Sequence, residues 1–206
     1  MTGPKSGPIA QLLAPGLFGA ELYDHGQPLP LHPDEARHVA GAAQKRQRDF
    51  VLGRTCAHAA LAQAGCDMGP IGRAPDGAPI WPAGLVGSIT HTQGYAAALV
   101  ARAADFAGLG VDTERLGGVT PDLWPRLFTA GEQDYLAQQP DPGRAATIMF
   151  TVKEACHKAG GQRVLRFHDF QVTLSGDGFV AHRQGQEFQG RFAVDEGLVL
   201  TLAWRR

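Results

Sequence analysis

Between residues 50 and 65 the apolar side chains Val51, Leu52, Cys56, Ala59, Ala60 and Leu61 return at helical spacing, and Gly65 stands where a helix of that phase would end. The helical region opens at His32-Pro33-Asp34 and carries the polar stretch QKRQRDF on its way to VLGRTCAHAALAQAG. Ahead of it, residues 1–32 are rich in Pro and Gly and read as irregular, with one short strand at Leu17–Tyr23. Residues 69–85, punctuated by Pro and Gly, read as loop. Two β-leaning runs follow, Val86–His91 and Tyr95–Ala101, across the hairpin-sized gap Thr92-Gln93-Gly94. GLGVDTERL at 108–116 predicts a third strand with a loop after it.

The second half begins with helices. Thr129 followed by Glu132 is a capping-box pattern and predicts a short helix to about Gln138. Asp141-Pro142 can cap the next helix, which carries Ala145, Ile148, Met149, Val152, Ala155 and Cys156 to a stop at Gly160-Gly161. The remainder predicts strands at Phe170–Leu174, Phe179–Arg183, Gly190–Val194 and Leu198–Trp204, with SGDG as a turn. Helix, strands, helices, strands is the order of an α+β protein rather than of a doubly wound parallel sheet. No internal sequence repeat is visible.

Composition narrows the classes. The chain has 206 residues, 44% of them hydrophobic, enough to bury a core in one large domain or two small ones. A net charge of −1 argues against a general nucleic-acid binder, so any basic site must be local. Three cysteines, Cys56, Cys66 and Cys156, show no metal-finger or CxxC spacing and suit a reducing compartment. The first residues hold no continuous apolar segment, so a secretion signal is not expected. The longest apolar run, near Ala96–Ala101, falls far short of the ~20 residues of a membrane span. The expected location is the cytoplasm, with no membrane partner.

Two stretches carry chemistry. In GLGVDTERL, Asp112 and Glu114 share one side of a strand, about 7 Å apart by strand rise, and like charges that close repel unless a cation or proton lies between them. In FTVKEACHKAG, Glu154 and Lys158 are i,i+4 on one helix face, with Lys153 about 100° round. Alone, the first is an ordinary solvated loop entry and the second a surface ion pair worth ~0.2–0.5 kcal/mol. Together, three carboxylates suit Mg²⁺, which keeps waters and completes its shell with substrate phosphate. The lysines make sense if that phosphate shares the site, which points to phosphoryl-type transfer.

Cations for a phosphate-rich substrate lie along one helical region: Lys45, Arg46, Arg48, Arg54 and His58, unless these form only a solvated basic face. There is no P-loop pattern, and GLG is too little for a dinucleotide fingerprint. Gly87-Ser88-Ile89-Thr90-His91 places two hydroxyls and an imidazole at a strand end; no partner for a nucleophilic serine is identifiable, and His91 reads as a donor toward phosphate.

GVDTERL, FTVKEACHKA about forty residues on, GSITH, and the helix KRQRDFVLGRTCAHAAL together resemble the Sfp-type 4′-phosphopantetheinyl transferases. PIWPAGLVGSITH and the GR of VLGR are most similar to the branch associated with enterobactin and other siderophore synthetases. The resemblance runs from about residue 33 to 160. It implies a monomeric pseudo-dimer of two similar α/β halves, residues 1–105 and 106–206, with the active site at their interface. It implies transfer of the phosphopantetheine arm of coenzyme A to a serine of an apo carrier protein, releasing adenosine 3′,5′-bisphosphate.

By matching positions, Asp112, Glu114 and Glu154 would hold Mg²⁺ against the pyrophosphate, and Glu154 would also be the base for the incoming serine. Lys158 would neutralise the leaving phosphate, with Lys153 in support. Arg46, Arg54, Thr90 and His91 fall where the family contacts nucleotide phosphates, and Gly77-Ala78-Pro79 in the loop facing the adenine. Thr90 stands where the family often has Ser, His157 where an aromatic or aliphatic residue is common, and His58 where some members carry Arg. The competing readings are a Mg²⁺-dependent nucleotide pyrophosphate hydrolase and a non-enzymatic coenzyme A or carrier-binding module. Intact Asp112, Glu114, Glu154 and Lys158 weigh against the second, because binding alone does not require them all.

Overall fold

A strand, a long helix and an antiparallel strand pair occur twice along the chain. The computed structural model describes residues 7–66, 69–161 and 166–206; residues 1–6 of the stretch read as irregular lie outside them. The first half runs α1 (Pro8–Leu12), β1 (Leu17–Tyr23), α2 (Pro33–Ala36), α3 (Gln44–Gln63), a ribbon of β2 (Gly72–Arg73) and β3 (Pro79–Ile80), then β4 (Leu85–Thr92) and β5 (Tyr95–Arg102). The second runs β6 (Gly108–Arg115), α4 (Trp124–Leu127), α5 (Ala130–Ala137), α6 (Pro142–Gly160), β7 (Gln171–Ser175), β8 (Gly178–Arg183), β9 (Gln186–Asp195) and β10 (Leu198–Arg205).

Local signals account for most of these boundaries. Thr129 and Glu132 form the reciprocal capping box that starts α5. Asp141 accepts a hydrogen bond from the Arg144 N–H at the start of α6, and Gly161, at φ +62°, takes the left-handed conformation that ends it. Four expectations are corrected. The N-terminal stretch read as irregular holds α1, with Pro8 at its first turn. The helical region expected from His32 onward is two helices, because Gly41 at φ +78° turns the chain between α2 and α3. The 69–85 loop contains the β2–β3 ribbon. Strand β9 begins four residues earlier than Gly190, because the turn at Gln184-Gly185 pairs Arg183 with Gln186 and the ladder runs from there.

Two antiparallel sheets result, ordered β1-β5-β4 and β6-β10-β9-β8-β7. Strand β5 is buried on both faces. Tyr95, Ala97, Leu99 and Ala101 meet Leu109, Val111, Leu200 and Leu202 of the other sheet, while Ala96, Ala98 and Val100 meet Leu52, Cys56, Ala60 and Leu61 of α3. Helix α6 covers the outer face of the larger sheet through Val152, Ala155, Cys156 and Ala159. The layers are therefore α3, sheet, sheet, α6, an α+β architecture. In each half the first strand pairs with the last.

Two features of this packing fix the site. Even-numbered residues of β6 face α6, and a Cβ at Gly108 or Gly110 would overlap the carbonyl oxygen of Ala159 or Ala155. The GLG run is thus what lets helix backbone lie against strand backbone, bringing Asp112 under α6. The sheets also meet edge to edge at β4 and β6, and hydroxyls bridge them: Val111 N–H donates to Ser88 Oγ (3.0 Å) and Thr113 N–H to Thr90 Oγ1 (3.1 Å).

Candidate active site

A cleft follows that junction. Its larger part, a cavity of about 470 Å³, is walled by Asp76, Pro79 and Trp81 on one side, Gly87–Ile89 on the floor, and Glu154, His157, Lys158 and Gly161 of α6. A smaller cavity of about 140 Å³ shares Pro79 and Ile89 with it and is lined by Arg46, Asp49, Arg54, Arg73, Gly77 and His91. One end of the cleft is acidic with a lysine, the other basic.

At the acidic end, Lys158 reaches back along α6, as helical side chains do. Its ammonium donates to Asp112 Oδ1 at 2.8 Å and to the Val111 carbonyl at 2.9 Å. The Thr90 hydroxyl stands 3.4 Å from the same Asp112 oxygen. Glu154, one helical turn before Lys158, has its carboxyl pushed up to about 7, first by burial and then by the negative charge of Asp112, with Lys158 opposing. Asp112 and Glu154 are therefore close enough to feel one another's charge.

The shift has a sign that can be tested. Below pH 4.5, the ordinary glutamate value, Glu154 is neutral in folded and unfolded chains alike. As pH rises through 7 the unfolded chain ionises freely, whereas the folded chain must ionise against burial and Asp112. Glu154 thus costs stability at alkaline pH, up to about 3 kcal/mol for a shift of this size. Glu154→Gln should raise Tm at pH 8 in EDTA and leave it unchanged near pH 4. Equal Tm values at pH 8 would contradict the shift.

Several expected site residues are not brought together. The Glu114 carboxylate turns onto its own backbone and accepts the Arg115 N–H at 2.9 Å. Repulsion from Asp112 and a nearby donor both favour that direction. Among the described residues no three His, Cys, Asp or Glu side chains converge as a metal cluster. Lys153 lies outside the cleft. It is fully buried, donates to Glu132 Oε2 (2.6 Å) and the Leu127 carbonyl (3.1 Å), and sits over the Phe128 ring, tying α6 to α4 and α5. Thr90 is 3% exposed, its hydroxyl occupied by Thr113 and Asp112, so it braces the β4–β6 junction instead of facing the basic cavity. His58 turns to Glu35.

At the basic end, Arg46 is exposed and Arg54 is 3% exposed. The Arg54 guanidinium lies over the Phe50 ring and donates to the Gly72 carbonyl at 3.2 Å, while Nε and Nη1 are buried without a hydrogen-bond partner. His91 Nδ1 stands 3.8 Å from Asp49 Oδ2. Burial holds its imidazole below the ordinary range; Asp49 opposes this, and Lys158, Arg46 and Lys45 reinforce it. Arg73, which the sequence did not single out, completes the cationic lining. Gly77 makes room for it, because a Cβ there would press on the guanidinium and φ is +93°. The available signal was the turn PDG, which pairs Arg73 with Pro79 across the ribbon. Three arginines against one aspartate, itself engaged by Lys45 at 3.0 Å, form a place for an anion.

Comparison with known proteins shows the family. Residues 34–101 match the model of the 4′-phosphopantetheinyl transferase N-terminal domain, and residues 108–203 that of the 4′-phosphopantetheinyl transferase superfamily. The chain is 37% identical to 4′-phosphopantetheinyl transferase Svp of Streptomyces mobaraensis over 83% of its own length and 77% of that protein's. It is 33% identical to 4′-phosphopantetheinyl transferase Npt of Nocardia iowensis, covering 94% of this chain and 97% of that one. Enterobactin synthase component D of Escherichia coli (strain K12) is 31% identical over 78% of each.

Proposed function

This chain belongs to the 4′-phosphopantetheinyl transferase superfamily, and from that premise we propose how its cleft carries out the reaction. The enzyme, of the holo-[acyl-carrier-protein] synthase type, transfers the 4′-phosphopantetheine group of coenzyme A to a serine of an apo carrier protein and releases adenosine 3′,5′-bisphosphate. Coenzyme A lies along the cleft with its nucleotide in the basic cavity and its pyrophosphate beside Lys158. The serine oxygen attacks the pantetheine phosphorus, the bridging P–O bond breaks, and the electron pair leaves with the nucleotide. Glu154, directly or through water, takes the serine proton; a carboxyl held near neutrality suits that task. Lys158 neutralises charge on the leaving phosphate.

The donor set fits Mg²⁺. Asp112 and Glu154 are hard oxygen ligands, close enough that the charge of Asp112 raises the proton affinity of Glu154, and Glu114 shares the side of β6 that carries Asp112. When bound there, Mg²⁺ supplies charge neutralisation for the pyrophosphate. The chain divides near residue 105 into subdomains 1–105 and 106–206 that work as one unit, because α3 and β4 of the first and α6 of the second all line the cleft. A cleft complete within one chain supports a monomer, and three free cysteines support a cytoplasmic location.

The observation that carries this reading is Lys158 bonded to Asp112 beside a Glu154 of raised pKa, with a cationic cavity adjoining. Mass spectrometry of apo carrier proteins incubated with coenzyme A and Mg²⁺ tests it. A phosphopantetheine mass gain on serine is expected. Coenzyme A cleavage without that gain would favour a pyrophosphate hydrolase.

Arg46 and Arg54 are the candidates for the ribose 3′-phosphate, since a planar guanidinium matches phosphate oxygens and stays charged. Substituting the true contact by Ala should weaken coenzyme A about 10- to 150-fold, the range for hydrogen bonds to charged groups. Dephospho-coenzyme A should be nearly unaffected. Equal weakening of both ligands would assign the arginine to the pyrophosphate or to the fold.

A further inference from the structure

The basic cavity has a wall that neither sheet holds. Its β2–β3 ribbon has only two strands and no ladder to either sheet, and such a pair is at best marginally stable alone. Yet it carries Arg73 and the Gly77–Pro79 turn. Its anchor begins at Glu35 of α2, which is completely buried. Glu35 Oε1 accepts the Ile71 N–H at 2.9 Å, on the residue before β2. Both carboxylate oxygens stand 3.0 Å from His58 Nε2 of α3, and Oε1 stands 3.8 Å from Arg54 Nε. Arg54 in turn donates to the carbonyl of Gly72, the next residue of the ribbon. Glu35 and Arg54 therefore grip the ribbon from two sides, one through N–H and the other through C=O.

We infer that Glu35 is a positioning residue for coenzyme binding: it holds Arg54 in place against the nucleotide, and through the Arg54 bond to Gly72 it holds the Arg73-bearing ribbon there too. The inference rests on the proposed placement of the nucleotide in this cavity. A carboxylate is needed because the Ile71 N–H and His58 Nε2 both meet it, the Arg54 guanidinium stands beside it as an ion-pair partner at 3.8 Å, and a carboxylate only accepts. A glutamine of the same shape would set an NH₂ against one of them. The buried Arg54 would also lose the negative charge that compensates it.

The test is steady-state transfer to an apo carrier by E35Q, R54A and the double variant, with coenzyme A varied. E35Q should raise KM for coenzyme A about tenfold, the size of one hydrogen bond to a charged group. Its kcat should stay within about twofold, because Lys158 and Glu154 are untouched. If Glu35 acts through Arg54, adding E35Q to R54A should raise KM little further. Loss of packing alone would not give that non-additivity. A folded E35Q with unchanged KM, or with an effect additive to R54A, overturns the inference. Should E35Q not fold, H58Q is read in its place, with a smaller KM rise that R54A again absorbs; no rise, or an additive one, overturns the inference equally. A wild-type protein that transfers nothing, or an R54A indifferent to coenzyme A, sinks the nucleotide placement and this inference with it. Wild-type transfer weakened by R54A but not by E35Q sinks the inference alone.

Discussion

Asp112→Ala should reduce transfer by roughly a thousandfold or more while the far-ultraviolet circular dichroism spectrum stays that of the wild type. The size follows from how much converges on one carboxylate. It accepts the Lys158 ammonium at 2.8 Å and stands 3.4 Å from the Thr90 hydroxyl. Its charge is also the second cause of the raised Glu154 pKa. Removing it takes the carboxylate from Lys158, removes a ligand from the proposed Mg²⁺ site, and lowers the proton affinity of the proposed base. Losing one electrostatic stabiliser typically costs 10²–10³ in kcat, about 2.7–4 kcal/mol, and here three effects coincide. Asp112→Asn, which keeps the shape, should be nearly as inactive. A parallel assay in excess EDTA should stop wild-type turnover. Full activity there, or an active Asp112→Asn, would exclude the metal role.

Lys158→Ala should lower kcat by about 10²–10³ and change KM for coenzyme A far less, because charge on the leaving phosphate is greatest in the transition state. In EDTA the same variant should deepen the alkaline loss of Tm. Lys158 lowers the Glu154 pKa, so removing the ammonium raises it, and ionising the buried carboxyl then costs more. A change in KM alone would make Lys158 a binding residue. An unmoved dependence of Tm on pH would separate it from Glu154.

The parts of this site legible in the sequence are those set by local periodicity. Strand alternation puts Asp112 and Glu114 on one side of β6, and helical spacing puts Glu154 and Lys158 on one face of α6. The capping box and the Gly161 stop are likewise local. What spacing does not place depends on packing at long range. Lys153 lies only a fraction of a turn from Glu154, and which neighbour claims it is decided by Phe128 and Glu132, more than twenty residues away. Thr90 shares a motif with His91, but alternation sends the two to opposite faces of β4, one to β6 and one to Asp49. The direction of Glu114 is a rotamer choice within reach of two environments, which spacing does not resolve. Glu35 and Arg73 carry no motif and acquire meaning only once the ribbon is seen to stand apart from both sheets. The repeated strand order is invisible in the sequence because the halves share topology rather than residues.

That repeat also sets how many substrates one chain can process at a time. Asp112 pairs with Thr201, the fourth residue of β10; the fourth residue of β5, Ala98, pairs with Ala20 on β1. The counterpart of the acid is thus an alanine. The counterpart of the β4–β6 junction, between β9 and β1, is plugged by α1, which seats Ile9 and Leu12 in the core. One half thus serves as a wall for the other's site, and the expected result of a calorimetric titration is one coenzyme A per polypeptide.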